Sequence, residues 1–321
     1  MPSASAHVIA VDLGGTQFRV ALFDAAGRLL RREAFPTHGE QGPAAVLDRI
    51  AAGCRDMLTQ LPAGGSLAGV GVAAPSPIDP KRGVVFQAPN LPGWVDIPLR
   101  DELARRLDLP VLAGNDANLA ALGEWRFGAG RDHGDLVYLT ISTGVGSGFV
   151  SAGRLLVGHS GLAGEAGHMV LQLDGPLCSC GKHGCFEALA SGTAIHREAV
   201  RRAPLAPDSA LGRRDPLTAA AVDEEAERGD PLARELMEAA GRATGAGVAS
   251  LVHIFDPDIV VIGGGVSRSG PLWWDAVQRS AREHVLLAYL PGLRIVPAGL
   301  GDDAGLFGAA AAVLNPAAAG A

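Results

Sequence analysis

Three of the four cysteines of this chain lie within one short segment, GHMVLQLDGPLCSCGKHGCFE, residues 167–187. Cys178, Cys180 and Cys185 offer three thiolates to a metal ion. Thiolates with an imidazole form a common tetrahedral ligand set for structural Zn²⁺, and four protein ligands leave no open position for chemistry. A disulfide between Cys178 and Cys180 would be strained. The cluster therefore predicts a structural zinc site.

Two histidines in the same segment could supply the fourth zinc ligand. Both His168 and His183 are candidates, and spacing alone does not choose between them. Gly181 and Gly184 permit the tight backbone turns that a short ligand loop needs. Zinc bound here would shape the loop and would take no part in a reaction.

Glycine-rich turns form a second group of candidate functional segments. The first lies in VDLGGTQ, residues 11–17, and the second in STGVGSG, residues 142–148. Glycine lets backbone N–H groups approach phosphate oxygens, and Asp12 could bind Mg²⁺ directly or through water. The first turn is neither a Walker A loop nor a dinucleotide fingerprint, since it lacks the lysine and the following helix. A third segment, IGGG at 262–265, could let a nucleoside lie flat against the backbone.

An aspartate that could act as a base follows a short apolar stretch. Asp116, in GNDAN, opens a predicted helix at a strand's carboxyl edge, where α/β proteins place ligands. The helix N-terminus would keep it ionised, and it could accept the proton of a substrate hydroxyl, although a helix cap is the alternative. Asn115, Glu165 and Glu187 supply the donors and acceptors that a polyol needs.

Composition excludes several classes of protein. The 321 residues are 48% hydrophobic and 19% charged, which suits a large core and not a disordered chain. The net charge of −7 gives no support to a nucleic-acid or membrane partner. The first residues lack the pattern of a signal peptide, and no apolar run is long enough for a membrane span. A cytoplasmic protein is expected, where clustered cysteines are more often metal ligands than disulfides.

The elements that must position these residues alternate between strand and helix, which predicts an α/β protein. VIAVDLGGTQFRVALFDAAGRLLRRE, from Val8, has the pattern of three strands joined by turns, and residues 136–158 repeat its layout. The segments AAGRLL (25–30) and SAGRLL (151–156) are nearly identical, which predicts two related halves. Helices are expected over 43–61, 99–110, from Asp116 to about Phe127, through most of 193–250, and over 301–314.

These segments together resemble the ROK family of sugar kinases and related repressors. The resemblance extends from VDLGGTQ through APNLPGW, NDANLAALGEW, STGVGSG, GLAGEAGH, CSCGKHGCFEALASG and IVVIGGG to GDDAGLFGAA, and it is greatest to the ATP-dependent glucokinases of the family. It implies the duplicated ribonuclease-H-like fold of the actin and hexokinase superfamily, with two domains around a central cleft. We expect a small domain of residues 1–115 plus about 302–321, and a large domain of 116–301 with the zinc loop at 168–187.

The resemblance also implies a role for individual residues. The zinc ligands would be His168, Cys178, Cys180 and Cys185. The base would be Asp116. The sugar hydroxyls would be bound, besides Asp116, by Asn90, Asn115, Glu165, His168 and Glu187. The ATP phosphates, with Mg²⁺, would be bound by Asp12, Gly14, Gly15, Thr16, Thr143 and Gly144. The adenosine would lie on Gly264 and Gly265.

The expected reaction is phosphorylation of the 6-hydroxyl of a hexose by ATP, with glucose as the substrate. Kinases of N-acetylated hexosamines or mannose share the motifs, and a sugar-responsive regulator lacking a DNA-binding domain is the alternative from another class. ATP and polyphosphate are not separated as donors, and a homo-oligomer, dimer or tetramer, is expected. Two positions depart from the family pattern: Gln17 stands where most members have lysine, and Ser76 where glycine is common.

Overall fold

The computed structural model describes residues 6–75, 77–88 and 90–319. The strands are β1 (Ala6–Leu13), β2 (Gln17–Phe23), β3 (Leu29–Pro36), β4 (Ser66–Ala74), β5 (Ile78–Asp79), β6 (Val84–Gln87), β7 (Val95–Ile97), β8 (Val111–Asn115), β9 (Leu136–Ile141), β10 (Val145–Ser151), β11 (Arg154–Leu155), β12 (Ile259–Gly263) and β13 (Ile295–Pro297). The α-helices are α1 (Gly42–Leu58), α2 (Leu99–Leu107), α3 (Asp116–Phe127), α4 (Phe186–Ala190), α5 (Gly192–Arg202), α6 (Ala219–Glu227), α7 (Pro231–Phe255), α8 (Pro271–His284) and α9 (Ala304–Leu314).

The first sheet has the strand order β3-β2-β1-β4-β8. Strand β1 runs antiparallel to β2 and parallel to β4. It is apolar on both faces because both are covered: Ile9 and Val11 belong to a core shared with α1 and α2, whereas Val8 and Ala10 belong to one shared with α3 and α9. Because β1, β4 and β8 are parallel, the carboxyl ends of β1 and β8 lie at one edge of the sheet.

The second sheet repeats this arrangement. Its order, β11-β10-β9-β12-β13, corresponds strand for strand to that of the first sheet. Each sheet begins with a glycine-turn hairpin followed by a third antiparallel strand, eight residues long in β3 and two in β11, which confirms the predicted duplication and α/β class. The equivalence also explains why two similar glycine turns occur in one chain.

Small residues of α9 allow unusually close packing in the first core. A Cβ atom added to Gly71 of β4 would overlap the Ala309 carbonyl group, and one added to Gly308 would overlap the backbone of Leu119. Helix α9 therefore touches β4 and α3 backbone to backbone. The run of alanine and glycine in this segment is a packing requirement of the helix that covers the sheet.

A small sheet of three strands, β5-β6-β7, was not expected from the sequence. Its strands are only two to four residues long, so they show too few alternations to be recognised. None of the helices in the described part of the chain is long and apolar enough to cross a membrane.

The chain divides into two compact units. The first comprises residues up to Gly134, Gly148–Gly164 and the residues from Gly299 onward, and the second comprises Asp135–Ser147 and Glu165–Ala298. This division departs from the expected boundaries, which ended the first segment at residue 115. Helix α3 belongs to the first unit because it packs along α9, and Gly148 joins that unit because it approaches Ala117 and Ala121 of α3.

Candidate active site

The three clustered cysteines and one histidine converge in the second unit. Ligand atoms of His168, Cys178, Cys180 and Cys185 all lie within 4.8 Å of one another. The Cys178 Sγ atom is 3.8 Å from Nδ1 of His168, and the Sγ atoms of Cys180 and Cys185 are 3.7 Å apart. A tetrahedral zinc ion with Zn–S bonds near 2.3 Å requires ligand atoms roughly 3.8 Å apart. The donor set and its spacing therefore fit zinc.

His183 is held elsewhere. Its Nδ1 atom lies 3.1 Å from the carbonyl oxygen of Gly175, while His168 faces the cysteines. The loop 168–187 is closed by its own backbone, since Leu171 donates to the Gly184 carbonyl group. Gly184 has φ +72°, and a Cβ atom there would overlap Gln172. Of the two candidate histidines, His168 is therefore the one that lies with the cysteines.

Glu187 connects this loop to the second glycine turn. Its Oε2 atom accepts a hydrogen bond of 3.0 Å from the Val145 N–H, and its Oε1 atom accepts one of 2.7 Å from the Ser179 hydroxyl. The preceding residue, Phe186, is fully buried and packs into the space that Gly247 of α7 leaves open. The buried ring thus anchors the start of α4 and fixes the position of the Glu187 carboxylate.

The other two predicted sugar ligands of this unit lie on a short turn beside β10, the strand that begins at Val145. Glu165 and His168 flank a single 3₁₀ turn, in which His168 donates its N–H to the Glu165 carbonyl group at 3.0 Å. Ala166 donates to the Ser147 hydroxyl at 3.1 Å, and Gly167 lies against the Val145 carbonyl oxygen. Both side chains are exposed. With Nδ1 of His168 facing Cys178, Nε2 is the ring nitrogen that remains for a sugar.

The second glycine turn adjoins the glycines that follow β12. Gly264 has φ +88°, and a Cβ atom there would overlap Ile141 at the end of β9. Thr143 is held by Thr193 at the start of α5, whose hydroxyl donates to its carbonyl group at 2.7 Å. The predicted phosphate residues Thr143 and Gly144 and the predicted adenosine residues Gly264 and Gly265 are thus neighbours within one unit.

A cavity of about 1040 Å³ opens beside these glycines, within the second unit. Its lining includes Thr143 and Gly265, together with residues that sequence reasoning missed: His196, Thr218, Asp223, Arg268 and Ser269. Burial raises the pKa of Asp223, which accepts hydrogen bonds from the Gly270 N–H and the Ser269 hydroxyl. Asp223 lies in a charged stretch that resembles a solvated helix face, so its sequence neighbourhood gave no sign that it lines a cavity.

The first glycine turn lies at the end of the β1–β2 hairpin in the first unit. The turn is closed by a 3.0 Å hydrogen bond from the Gly14 N–H to the Gln17 carbonyl group. A Cβ atom on Gly15 would lie 3.0 Å from both Cβ and the carbonyl oxygen of Asn90. Asn90, a predicted sugar ligand, thus lies directly against a predicted phosphate turn, where Thr16 is exposed. Ser76, the other departure from the family pattern, lies outside the described residues.

Asp12 ends β1 and has an unusual electrostatic environment. Burial raises its pKa to about 6; Arg19 opposes this rise, and Asp303 and Asp302 add to it. The Oδ2 atom lies 3.7 Å from Nη1 of Arg19. Gly305 of α9 leaves room for the carboxylate, since a Cβ atom there would be 3.0 Å from Oδ1. A half-buried carboxylate surrounded by other acids is suited to a divalent cation.

The predicted base lies at the same sheet edge as Asp12. Asp12 pairs with Ala73 of β4, and Ala73 pairs with Gly114 of β8, so Asp12 and the end of β8 are two strands apart, about 10 Å. Asn115 caps α3, accepting the Asn118 N–H at 3.1 Å. Asp116 is therefore the first residue of the helix and not its cap, and its Oδ1 accepts the Ala117 N–H at 2.7 Å.

Comparison with known proteins extends to nearly the whole chain. Residues 8–315 match the model of the ROK family. The glucokinase of Thermotoga maritima is 38% identical over 311 residues, which are 95% of this chain and 96% of that protein. A ROK hexokinase from Thermus thermophilus, 38% identical, has a similar structure with a TM-score of 0.84 over 95% of this chain and 97% of that one.

A ROK family glucokinase from Streptomyces griseus, solved with glucose and AMPPNP, gives a TM-score of 0.80 at 37% identity, covering 95% of this chain and 98% of that one. Since the family match covers residues 8–315 and these relatives cover 95% of the chain, the chain belongs to the ROK family and has its actin/hexokinase-type fold.

Proposed function

We propose that this protein is a sugar kinase that transfers the γ-phosphoryl group of ATP to the 6-hydroxyl of a hexose, with glucose as its substrate. The observation that carries the proposal is the position of Glu187. One carboxylate contacts both the cysteine loop, through Ser179, and the glycine turn, through Val145. A residue predicted to bind sugar is thus attached to a turn predicted to bind phosphate, as transfer between the two requires. Glucokinases among the relatives support the choice of glucose.

Asp116 is the proposed general base. It lies at the N-terminus of α3, whose dipole favours the carboxylate form. In phosphoryl transfer the transition state is loose, so the base chiefly orients the hydroxyl and accepts its proton late. Asn90, Asn115, Glu165, His168 and Glu187 would bind neighbouring hydroxyls of the sugar.

ATP would be bound by both glycine turns. We assign the phosphates to Gly14, Gly15 and Thr16 and to Thr143 and Gly144. The large cavity beside Gly264 and Gly265 supports the assignment of the adenosine to those glycines. Asp12 would hold Mg²⁺, which neutralises phosphate charge when it is bound. ATP as the donor also supports a cytoplasmic location for the reaction.

Zinc would have a structural role here. His168, Cys178, Cys180 and Cys185 would hold it, and their four protein ligands leave no position for a substrate. When bound, zinc supplies rigidity: it fixes the ring of His168 and the loop that ends at Glu187. The metal ligand His168 and the sugar ligand Glu187 are thereby held in one geometry.

We also propose a homodimer, which light scattering of the purified protein tests.

The substrate is tested by a coupled assay of ADP release over a panel of hexoses. We expect the highest kcat/KM for glucose. N-acetylmannosamine kinases are less similar relatives, 33% identical in the case of Yersinia pestis, and preference for that sugar would move the assignment to them. Absence of turnover with every sugar, together with sugar binding, would instead support the regulator alternative. Polyphosphate in place of ATP tests the phosphate donor.

A further inference from the structure

Arg19 lies directly opposite Asp12 in the β1–β2 hairpin. Residues paired in this way in antiparallel strands have Cβ atoms about 5 Å apart on one face of the sheet. Since side chains alternate along a strand, Gln17 and Arg19 also project from the same face of β2. On the face of the sheet that carries Asp12, Arg19 is therefore the β2 side chain that follows Gln17, the first residue after the glycine turn.

The guanidinium group of Arg19 is held in place on one side. Its Nη1 atom donates to the carbonyl oxygen of Asp302 and lies 3.6 Å from Oδ1 of Asp303 and 3.7 Å from Oδ2 of Asp12. Its Nε and Nη2 atoms donate no hydrogen bond to any of the residues that the structure describes. The side chain is 21% exposed, so part of it reaches solvent. A fixed guanidinium with open donors can bind a phosphate group through two hydrogen bonds.

The charge at the turn indicates what such an arginine could do. A triphosphate bound at Gly14, Gly15 and Thr16 needs positive charge, and position 17, which follows them, holds the neutral side chain of glutamine. We propose that Arg19 binds phosphate oxygens of the nucleotide and supplies the positive charge that position 17 lacks. This inference rests on the proposed kinase function and assigns one more residue to its nucleotide site.

A purely structural role would be neutralisation of the acidic residues before α9. Arg32 already provides this: its Nη1 atom contacts both carboxylate oxygens of Asp303, at 2.6 and 2.7 Å. Arg32 is on β3 and pairs with Ala21, two residues beyond Arg19 along β2. It therefore lies farther from Asp12 and the glycine turn than Arg19 does. The two arginines therefore share Asp303 but differ in their distance along the sheet from the glycine turn, and Arg32 is a matched control.

Calorimetric titration with AMPPNP and Mg²⁺, and separately with glucose, tests the proposal. Arg19→Met should weaken AMPPNP binding by roughly tenfold to a hundredfold, the scale of a hydrogen bond to a charged group, and should leave glucose binding unchanged. Arg32→Met should bind AMPPNP like the wild type. Adding Gln17→Lys to Arg19→Met should restore much of the lost affinity, because it returns a cation to the same face of β2.

Unchanged AMPPNP affinity in Arg19→Met would overturn the proposal, as would an equal loss in Arg32→Met. Should Arg19→Met fold poorly, Arg19→Gln keeps a donor for the Asp302 carbonyl group, and the same loss is expected from it; its absence counts equally against the proposal. If the wild type itself binds glucose but no nucleotide, the kinase function fails. If the wild type binds AMPPNP and the Arg19 variants bind it equally well, the kinase function stands and this inference alone is wrong.

Discussion

The backbone N–H of Val145 donates a 3.0 Å hydrogen bond to the carboxylate of Glu187. This contact joins the second glycine turn to the last residue of the cysteine loop, so a predicted phosphate site and a predicted sugar site share one group. A disturbance at either end should therefore be measurable at the other. Gly144, between Thr143 and Val145, offers the most direct way to introduce such a disturbance.

Gly144→Ala should impair both substrates at once. A Cβ atom at this position would overlap Oε2 of Glu187, so the carboxylate must move or the turn must open. Displacement of a positioning group by about 1 Å can cost roughly 10²-fold in rate. We expect a loss of this order in kcat/KM for both glucose and ATP, measured by steady-state kinetics.

Gly292→Ala is the control for this substitution. Gly292 belongs to the same unit, and a Cβ atom there would have no neighbour within 4 Å. Its kinetics should match those of the wild type. Selective loss of ATP binding in Gly144→Ala, with glucose affinity unaffected, would show that the contact between the turn and Glu187 does not connect the two sites.

Asp116→Ala should fold, bind glucose weakly and lose most of its turnover. Asn115 retains the cap of α3, so the helix should not be destabilised. A positioned base typically contributes about 10² to 10⁴ in rate, and we expect kcat to fall by at least ~10²-fold. Single-turnover kinetics and glucose titration measure the two effects separately. Asp101→Asn, in the first turn of α2, is the control, and near-normal turnover in Asp116→Ala would refute the assignment of the base.

Much of the fold could be predicted because its elements are long and regularly patterned. The hairpins that begin each half combine apolar strands with glycine turns, and the repetition of AAGRLL as SAGRLL indicated the duplication. The three-stranded sheet was missed because strands of two to four residues show no period. The boundary between the units could not be placed either, since it depends on the packing of α3 against α9, which no local pattern reveals.

The candidate site shows the same limit. Turn residues and ligands with fixed spacing were recognisable, whereas contacts between distant segments were not. Spacing alone left His168 and His183 open, and the choice of His168 came from the resemblance to the ROK family; the structure places His168 with the cysteines. Asp223, on α6, and Ser269, just before α8, line the same large cavity, and nothing in their sequence neighbourhood distinguishes them from surface residues. Arg19 was likewise unmarked until its pairing with Asp12 was known.

Asp12→Asn should stabilise the protein at neutral pH while abolishing Mg²⁺-dependent turnover. Burial raises the pKa of Asp12 from 3.8 to about 6, so the folded state holds the proton more tightly than the unfolded state. Ionisation therefore costs stability: the cost is absent below about pH 3.8, grows up to about pH 6 and stays constant above it. Two pKa units correspond to at most about 3 kcal/mol.

Urea unfolding at about pH 7.5 and about pH 4 measures this difference. We expect Asp12→Asn to be more stable than the wild type at the higher pH and nearly equal to it at the lower one. The turnover of the wild type should rise with pH through about 6, because the Asp12 carboxylate then becomes available to the metal ion. A variant that is less stable than the wild type at the higher pH would contradict the assigned sign.

Cys180→Ser should release the metal and weaken sugar binding far more than nucleotide binding. Cys180 and Cys185 contribute one edge of the ligand cluster, and its loss frees the loop that orients His168 and Glu187. Loss of an orienting interaction of this kind typically costs about 10- to 100-fold in affinity or activity, and the melting temperature should fall because metal binding energy is folding energy for the loop. Cys54→Ser is the control, since Cys54 is on α1, in the core of the first unit and apart from the loop. Elemental analysis and calorimetry with glucose and AMPPNP measure the effects. A wild type without zinc, or a fully active Cys180→Ser, would exclude a structural metal and leave the clustering of the cysteines without an explanation.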